Sequence, residues 1–219
     1  DRIQPVEWPS APGGEGSTHV IDPRDPGIVY SAGFYGNISR SDVSKKRRKS
    51  KAILPVQEED DLPLRGQWVA PFILSPHNPD ILYHAMQYVF MSKDRGDTWE
   101  KISPDLTYND INKIGDISYQ TIASLSESPI KHGLLYAGTD DGRLHLTKNN
   151  GQDWEEILNG LPKNKWISRA VASKYGFSRV YITQNGKRDD DFQVYVWKSD
   201  DFGQTWDDIS GNIPLGPVN

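Results

Sequence analysis

Short apolar runs alternate with clusters of Gly, Pro, Asn, Asp and Ser along most of this chain, and no stretch carries a helical period. From Trp68 onward the runs come in groups of four. The first group lies near Trp68–Leu74, Ile81–Ala85, Tyr88–Ser92 and Thr98–Ile102. The second lies near Gln120–Ser126, Leu134–Gly138, Arg143–Thr147 and Asp153–Ile157. The third lies near Ile167–Ser173, Arg179–Thr183, Phe192–Lys198 and Thr205–Ile209. Turn residues such as Ser75-Pro-His-Asn-Pro79 and Asp94-Arg-Gly96 separate the runs, which therefore read as strands. A weaker group precedes them, near Ser17–Ile21, Ile28–Gly33, Gly36–Ser41 and Lys51–Val56. Within the groups the third strands align. Val89, Leu144 and Val196 fall in one column and Phe90, His145 and Trp197 in the next. Neighbouring columns of a strand face opposite ways, so both faces of each sheet are largely apolar. Sheets covered on both faces at a repeat of this length predict an all-β fold, a β-propeller of four-stranded antiparallel blades.

Two markers run in step at a period of roughly 53 residues. One is the segment Ser92-Lys-Asp94-Arg-Gly96-Asp-Thr98-Trp99, repeated around Asn149, Gly151 and Trp154 and again around Asp201, Gly203 and Trp206. The other is an aliphatic-Tyr pair: Val29-Tyr30, Leu82-Tyr83, Leu135-Tyr136 and Val180-Tyr181. The units predict blades at 17–60, 67–107, 119–161 and 166–213 within one segment, 1–219. The closing Asn212-Ile-Pro-Leu-Gly-Pro-Val-Asn219 reads like a loop entering another first strand. It predicts a propeller larger than four blades, with the rest in the parent protein or in another chain. Open ends predict association of the isolated chain, since uncovered blade faces and strand edges are adhesive.

The recurring segment reads as a structural turn. Asp94 and Asp201 can accept hydrogen bonds from their own turn, Asn149 keeps one acceptor oxygen, and the glycines supply a left-handed backbone angle. Trp99, Trp154 and Trp206 add apolar area and an N–H that needs a partner. A calcium loop is disfavoured because too few oxygen ligands sit at the required spacing.

Composition narrows the function. The 219 residues carry a net charge of −5, which argues against a nucleic-acid partner. With no cysteine, thiolate metal sites, Cys nucleophiles and disulfides are excluded. No run approaches the ~20 apolar residues of a membrane helix, and no export signal is visible in a chain opening at Asp1. The five histidines lack metal-ligand spacing, no cofactor is called for, and Gly13–Gly16 opens no helix and is not a phosphate loop. The basic run Lys45–Lys51 reads as a charged hairpin tip balanced by Glu58–Asp61.

The repeated turns and the aliphatic-Tyr marker resemble the Asp-box (BNR) propellers of the sialidase-like superfamily. From Trp68 to Asn219 the chain is most similar to large bacterial Asp-box proteins labelled glycosyl hydrolase, on Ser75–Pro79, Ile102-Ser-Pro-Asp-Leu-Thr107 and Arg188-Asp-Asp-Asp-Phe192. Sortilin-type propellers are more distant. The first unit departs from the pattern: Asp42 matches the Asp, but Ser44 stands for the Gly and no Trp follows. The resemblance implies a secreted, periplasmic or cell-surface protein, and ligands on the face opposite the boxes. The ligand-face candidates are then Arg65, Trp68, Gln87, Asp141, Trp166, Arg169, Asn185 and Arg188. Rings beside amides and carboxylates suit carbohydrate.

Glycosidases usually need two facing carboxylates, and Asp116, Asp140, Asp190 and Asp191 are the candidates beside Asp141. A sialidase is disfavoured, since its Arg-Ile-Pro signature is broken in Arg2-Ile-Gln-Pro5. The reading is a non-catalytic propeller binding a carbohydrate or a protein segment. The alternatives are a glycoside hydrolase needing further blades and an assembly-factor or receptor-like binder.

Overall fold

The computed structural model describes residues 18–44, 49–57, 62–115 and 117–218. Among the described residues sixteen strands form four antiparallel sheets of four, each in simple up-and-down order. Sheet 1 holds β1 (Thr18–Asp22), β2 (Asp25–Ala32), β3 (Ile38–Asp42) and β4 (Lys49–Ala52). Sheet 2 holds β5 (Phe72–Leu74), β6 (Leu82–Ala85), β7 (Val89–Ser92) and β8 (Glu100–Lys101). Sheet 3 holds β9 (Ile122–Glu127), β10 (Leu135–Thr139), β11 (Leu144–Thr147) and β12 (Glu155–Glu156). Sheet 4 holds β13 (Trp166–Ala172), β14 (Val180–Gly186), β15 (Asp191–Ser199) and β16 (Asp207–Asp208). The fold is an all-β propeller. Among the described residues three apolar clusters lie between successive sheets, with Tyr30, Phe72 and Leu82 in the first, Tyr83, Val89 and Leu135 in the second, and Tyr136, Leu144 and Ile182 in the third.

In sheets 2, 3 and 4 the fourth strands are shorter than the apolar pattern predicts, because the turns before them take up their first two residues. Ser92 Oγ accepts the Gly96 N–H at 2.7 Å. The Asp94 carboxylate accepts the Thr98 N–H at 2.8 Å and the Thr98 hydroxyl at 2.6 Å. Asp201 holds Thr205 the same way, at 2.9 and 2.6 Å. The threonine hydroxyls hold both carboxyls at about 2. In sheet 3 the polarity is exchanged, since Asn149 accepts the Asp153 N–H at 3.0 Å and donates its amide N–H to Asp153 Oδ2 at 2.8 Å.

Each turn also reaches the preceding sheet. The indole N–H groups of Trp99, Trp154 and Trp206 donate to the carbonyls of Ile53, Ile102 and Ile157 at 2.7, 2.8 and 3.2 Å. Gly151, at φ +87°, lies so close that a Cβ there would sit 2.4 Å from the Ile102 carbonyl oxygen. These glycines thus answer two demands at once, a left-handed angle and contact with another sheet.

The tyrosine marker is the other half of this joint. Tyr83 Oη donates to Asn150 Oδ1 at 2.8 Å, and Arg95 Nε donates to Tyr30 Oη at 3.3 Å. Arg95 and Asn150 are the left-handed residues just before the turn glycines. At the third joint that place is taken by Phe202, and the buried Tyr136 hydroxyl has no partner. Tyr83→Phe is therefore expected to cost about 1 kcal/mol, whereas Tyr136→Phe is neutral or stabilising. Thermal unfolding of the two variants checks this, and equal losses would contradict it.

Candidate functional site

Up-and-down order puts the repeat turns at one end of every sheet. The loops joining second to third strands, and those entering each first strand, lie at the other. Loops of sheets 3 and 4, including the segment that leads from sheet 2 into sheet 3, enclose a cavity of about 590 Å³ there. Tyr108, Tyr119 and Trp166 supply its rings, and Gln120, Asn164 and Asn185 its amides. Asp110, Asp140, Asp141 and Asp189 outnumber Lys113 and Arg188, so the lining is acidic. A second hollow of about 400 Å³ shares Trp166 and Asn185 with the first and extends to Trp68 and Arg169.

Asp140 and Asp141 leave β10 as a buried pair with different duties. Asp140 Oδ1 accepts the Thr121 N–H at 2.8 Å. Its Oδ2 accepts the Thr121 hydroxyl at 3.2 Å and the Gln67 amide at 3.0 Å. Arg188 of sheet 4 stands 3.7 Å from the same oxygen. One carboxylate thus joins loops belonging to three sheets. Asp141 accepts the Tyr108 N–H at 2.8 Å and the Thr139 hydroxyl, fixing the loop that carries Tyr108. Burial raises both carboxyls, Asp140 to about 6.

Arg188 lies between two rings, 5.1 Å from the Tyr119 centroid and 4.7 Å from that of Trp166. Its guanidinium is half exposed. The Trp166 indole N–H is buried without a partner. Asp191 accepts the Gln193 N–H at 3.0 Å, the Tyr195 hydroxyl at 2.7 Å and Lys165 Nζ at 2.9 Å, and these hold its carboxyl at about 2. It is an ionised turn anchor. Asp190 is exposed at φ +54°.

Of the residues named from the sequence, Asp140, Asp141, Trp166, Asn185 and Arg188 come together around the cavity. Trp68 and Arg169 border the adjoining hollow, where Trp68 stacks against Phe34 with centroids 4.3 Å apart. Arg65 and Gln87 point into the fold. Arg65 pairs with Asp105 at 2.9 Å, and Gln87 bridges the Arg65 N–H and the Pro63 carbonyl. Asp116, Lys45–Arg48, Glu58–Asp61, Arg2–Pro5 and Gly13–Gly16 lie outside the described residues.

Sequence reasoning missed Tyr108, Asp110, Lys113, Gln120 and Asn164, which reach the cavity from irregular loops. Backbone strain marks those loops instead. Asn109, Gln120, Asn164 and Asp190 all hold positive φ, a cost that tends to gather at functional sites. Among the described residues no group of His, Asp and Glu is arranged to hold a metal, and no helix is long and apolar enough to cross a membrane.

Burial makes two groups titrate against each other. His145 is held down at about 4, while Asp140 is raised to about 6. From about pH 4 to 6 folded Asp140 keeps a proton that the unfolded chain has released, so its contribution to stability falls as pH rises. From about pH 4 to 6.5 the unfolded chain protonates His145 while the folded chain does not, so that contribution grows with pH. Asp140→Asn removes only the first. Its unfolding midpoint is expected to climb more steeply between pH 4 and 6 than the parent's. Identical slopes would mean that Asp140 takes up no proton there.

No protein-family model matches the chain, and no curated protein does. Solved structures do. A GH74 xyloglucanase from Xanthomonas campestris superposes with a TM-score of 0.60 at 18% identity, over 90% of this chain and 31% of that one. A GH74 enzyme from Niastella koreensis gives 0.61 at 19%, over 87% and 29%. An auxiliary nutrient binding protein from Bacteroides thetaiotaomicron gives 0.51 at 12%, over 83% and 37%. At these identities the likeness is one of fold. The chain spans about a third of the length of these structures.

Proposed function

We propose that this chain forms a ligand-holding face of a propeller and binds a carbohydrate chain without cleaving it. The cavity carries the reading. Its rings can stack on sugar faces, its amides and acidic groups can hold hydroxyls, and the adjoining hollow lengthens it toward Trp68. The absence of turnover rests on how its buried carboxylates are used. Asp140 and Asp141 accept hydrogen bonds from the protein itself, which leaves little freedom for proton transfer or water activation. The fold leaves the choice open, because its structural neighbours include both enzymes and a binding protein.

One observation favours a hydrolase as the second reading. A carboxyl raised to about 6 can serve as a general acid, and Asp140 has that property beside a cleft. Affinity electrophoresis in gels of xyloglucan, glucomannan and xylan, run beside a reducing-sugar assay, separates the two. Retardation without new reducing ends is expected. New reducing ends that vanish in Asp140→Asn would establish the hydrolase instead. Unretarded migration in every gel would sink the carbohydrate reading.

A further inference from the structure

The cavity holds a cation of its own. Arg188 stands on the short turn Lys187–Asp189 between β14 and β15. Its guanidinium carbon lies 5.1 Å from the Tyr119 ring centre and 4.7 Å from that of Trp166. The Asp140 carboxylate beside it is fully buried, and among the described residues Arg188 is the only cation paired with that carboxylate. Thr121 and Gln67 give Asp140 hydrogen bonds but no charge. Two ring faces and a buried carboxylate together favour a positive charge between them.

Arg188 is held loosely in that place. Its Nη1 lies 3.5 Å from the Asp140 carbonyl oxygen and 3.7 Å from Oδ2, both long for a charged hydrogen bond. Arg143, whose guanidinium lies 5.2 Å from the Tyr108 centroid, is the contrast. It donates to the Glu156 carboxylate at 2.7 Å and to the Thr107 carbonyl at 2.8 Å. Arg143 is a fixture, whereas Arg188 rests on ring faces that a stacking sugar needs. A neutral sugar taking its place would leave a buried carboxylate without a counter-charge, which is costly. A sugar carrying an ammonium group would supply the charge itself.

We propose that the ligand of this cavity is a saccharide bearing protonated amino groups, and that Arg188 is a tethered stand-in which one such group displaces from between Tyr119, Trp166 and Asp140. The proposal rests on the carbohydrate reading above and names the class of sugar. Asp110 and Asp189, in the same lining, offer carboxylates to further amino groups along the chain. Arg188 then sets specificity by occupying the place of the ligand's charge, and every ligand must first move it aside.

Titration calorimetry with β-linked hexasaccharides of glucosamine, N-acetylglucosamine and glucose tests it. The measurements are made at about pH 6.5, where Asp140, raised to about 6, is mostly ionised and much of the glucosamine is protonated. The glucosamine chain is expected to bind at least about tenfold more tightly than the other two. Asp140→Asn should reduce that preference to about twofold or less. Arg188→Ala should tighten glucosamine binding about tenfold, because nothing then has to be displaced, whereas truncating an ordinary ligand contact weakens binding. Glucose bound as tightly as glucosamine would overturn the proposal and leave the carbohydrate reading standing. A preference undiminished in Asp140→Asn would overturn it too, as mere attraction to a chain of net charge −5. So would an Arg188→Ala variant, folded by circular dichroism, that binds glucosamine no more tightly than the parent. Should that variant not fold, the comparison of the three sugars on the parent decides alone. If none of the three binds, the proposal falls, and the gels of xyloglucan, glucomannan and xylan decide the wider reading.

Discussion

Trp154→Ala is expected to lower the midpoint of thermal unfolding by roughly 6–12 °C. Two losses combine in this variant. A large, half-buried ring is removed from the joint between sheets 2 and 3, and the Ile102 carbonyl loses its 2.8 Å donor. Together these cost about 3 kcal/mol, at the low end for truncating an aromatic because the ring is not fully enclosed. In a domain of this size 1 kcal/mol moves the midpoint by about 2–4 °C. Trp154→Phe separates the two losses. It keeps most of the apolar area and removes the N–H, so its cost is about 1 kcal/mol. Circular dichroism melts of the three proteins suffice. Equal losses for Ala and Phe would mean that the hydrogen bond, not the packing, closes the joint. No loss for either would refute the account of these turns as fastenings between sheets.

Trp166→Ala carries the second large effect. The ring forms the wall between the two hollows and stacks under Arg188. If a saccharide lies across both, this residue touches it along its length, and aromatic anchors of that kind contribute about 2 kcal/mol. The dissociation constant is then expected to rise about thirtyfold, read by titration calorimetry with a polysaccharide that the parent binds. Trp68→Ala, at the far end of the second hollow and propped by Phe34, should weaken binding by less, about three- to tenfold. The contrast is the check. A Trp166 variant that binds like the parent would place the ligand elsewhere, even if the chain does bind saccharide.

The repeat was legible because it is written locally. Alternation along a strand spans a few residues, and the turn carboxylates of Asp94 and Asp201 bond donors four residues away. Counting apolar columns therefore yields the sheets, while several strand limits, the fourth strands' above all, differ from it by two residues or more. The tryptophans showed the limit of that approach. Their N–H groups called for partners, but an acceptor about fifty residues back in another sheet leaves no mark in the turn itself. Tyr136 shows it again, since its lost partner becomes visible only once Phe202 is seen opposite.

The candidate site was anticipated only as an expectation: the family resemblance set Asp140, Trp166, Asn185 and Arg188 at the end opposite the repeat turns, and the structure brings these four around one cavity. Their duties did not follow. Asp191 and Asp140 are both aspartates in polar loops, yet one is held at about 2 and the other raised to about 6. The difference lies in what surrounds them: Lys165, Tyr195 and a backbone N–H around an open turn in one case, burial among three loops in the other. The sequence alone determined four sheets, their order and the end at which loops could gather, since those depend on periodicity and turn chemistry within some ten residues. Only the tertiary structure decided which side chains meet across sheets and which carboxylates are already bound. Those outcomes depend on how one sheet is set against the next, and that placement comes from packing between residues far apart in the chain.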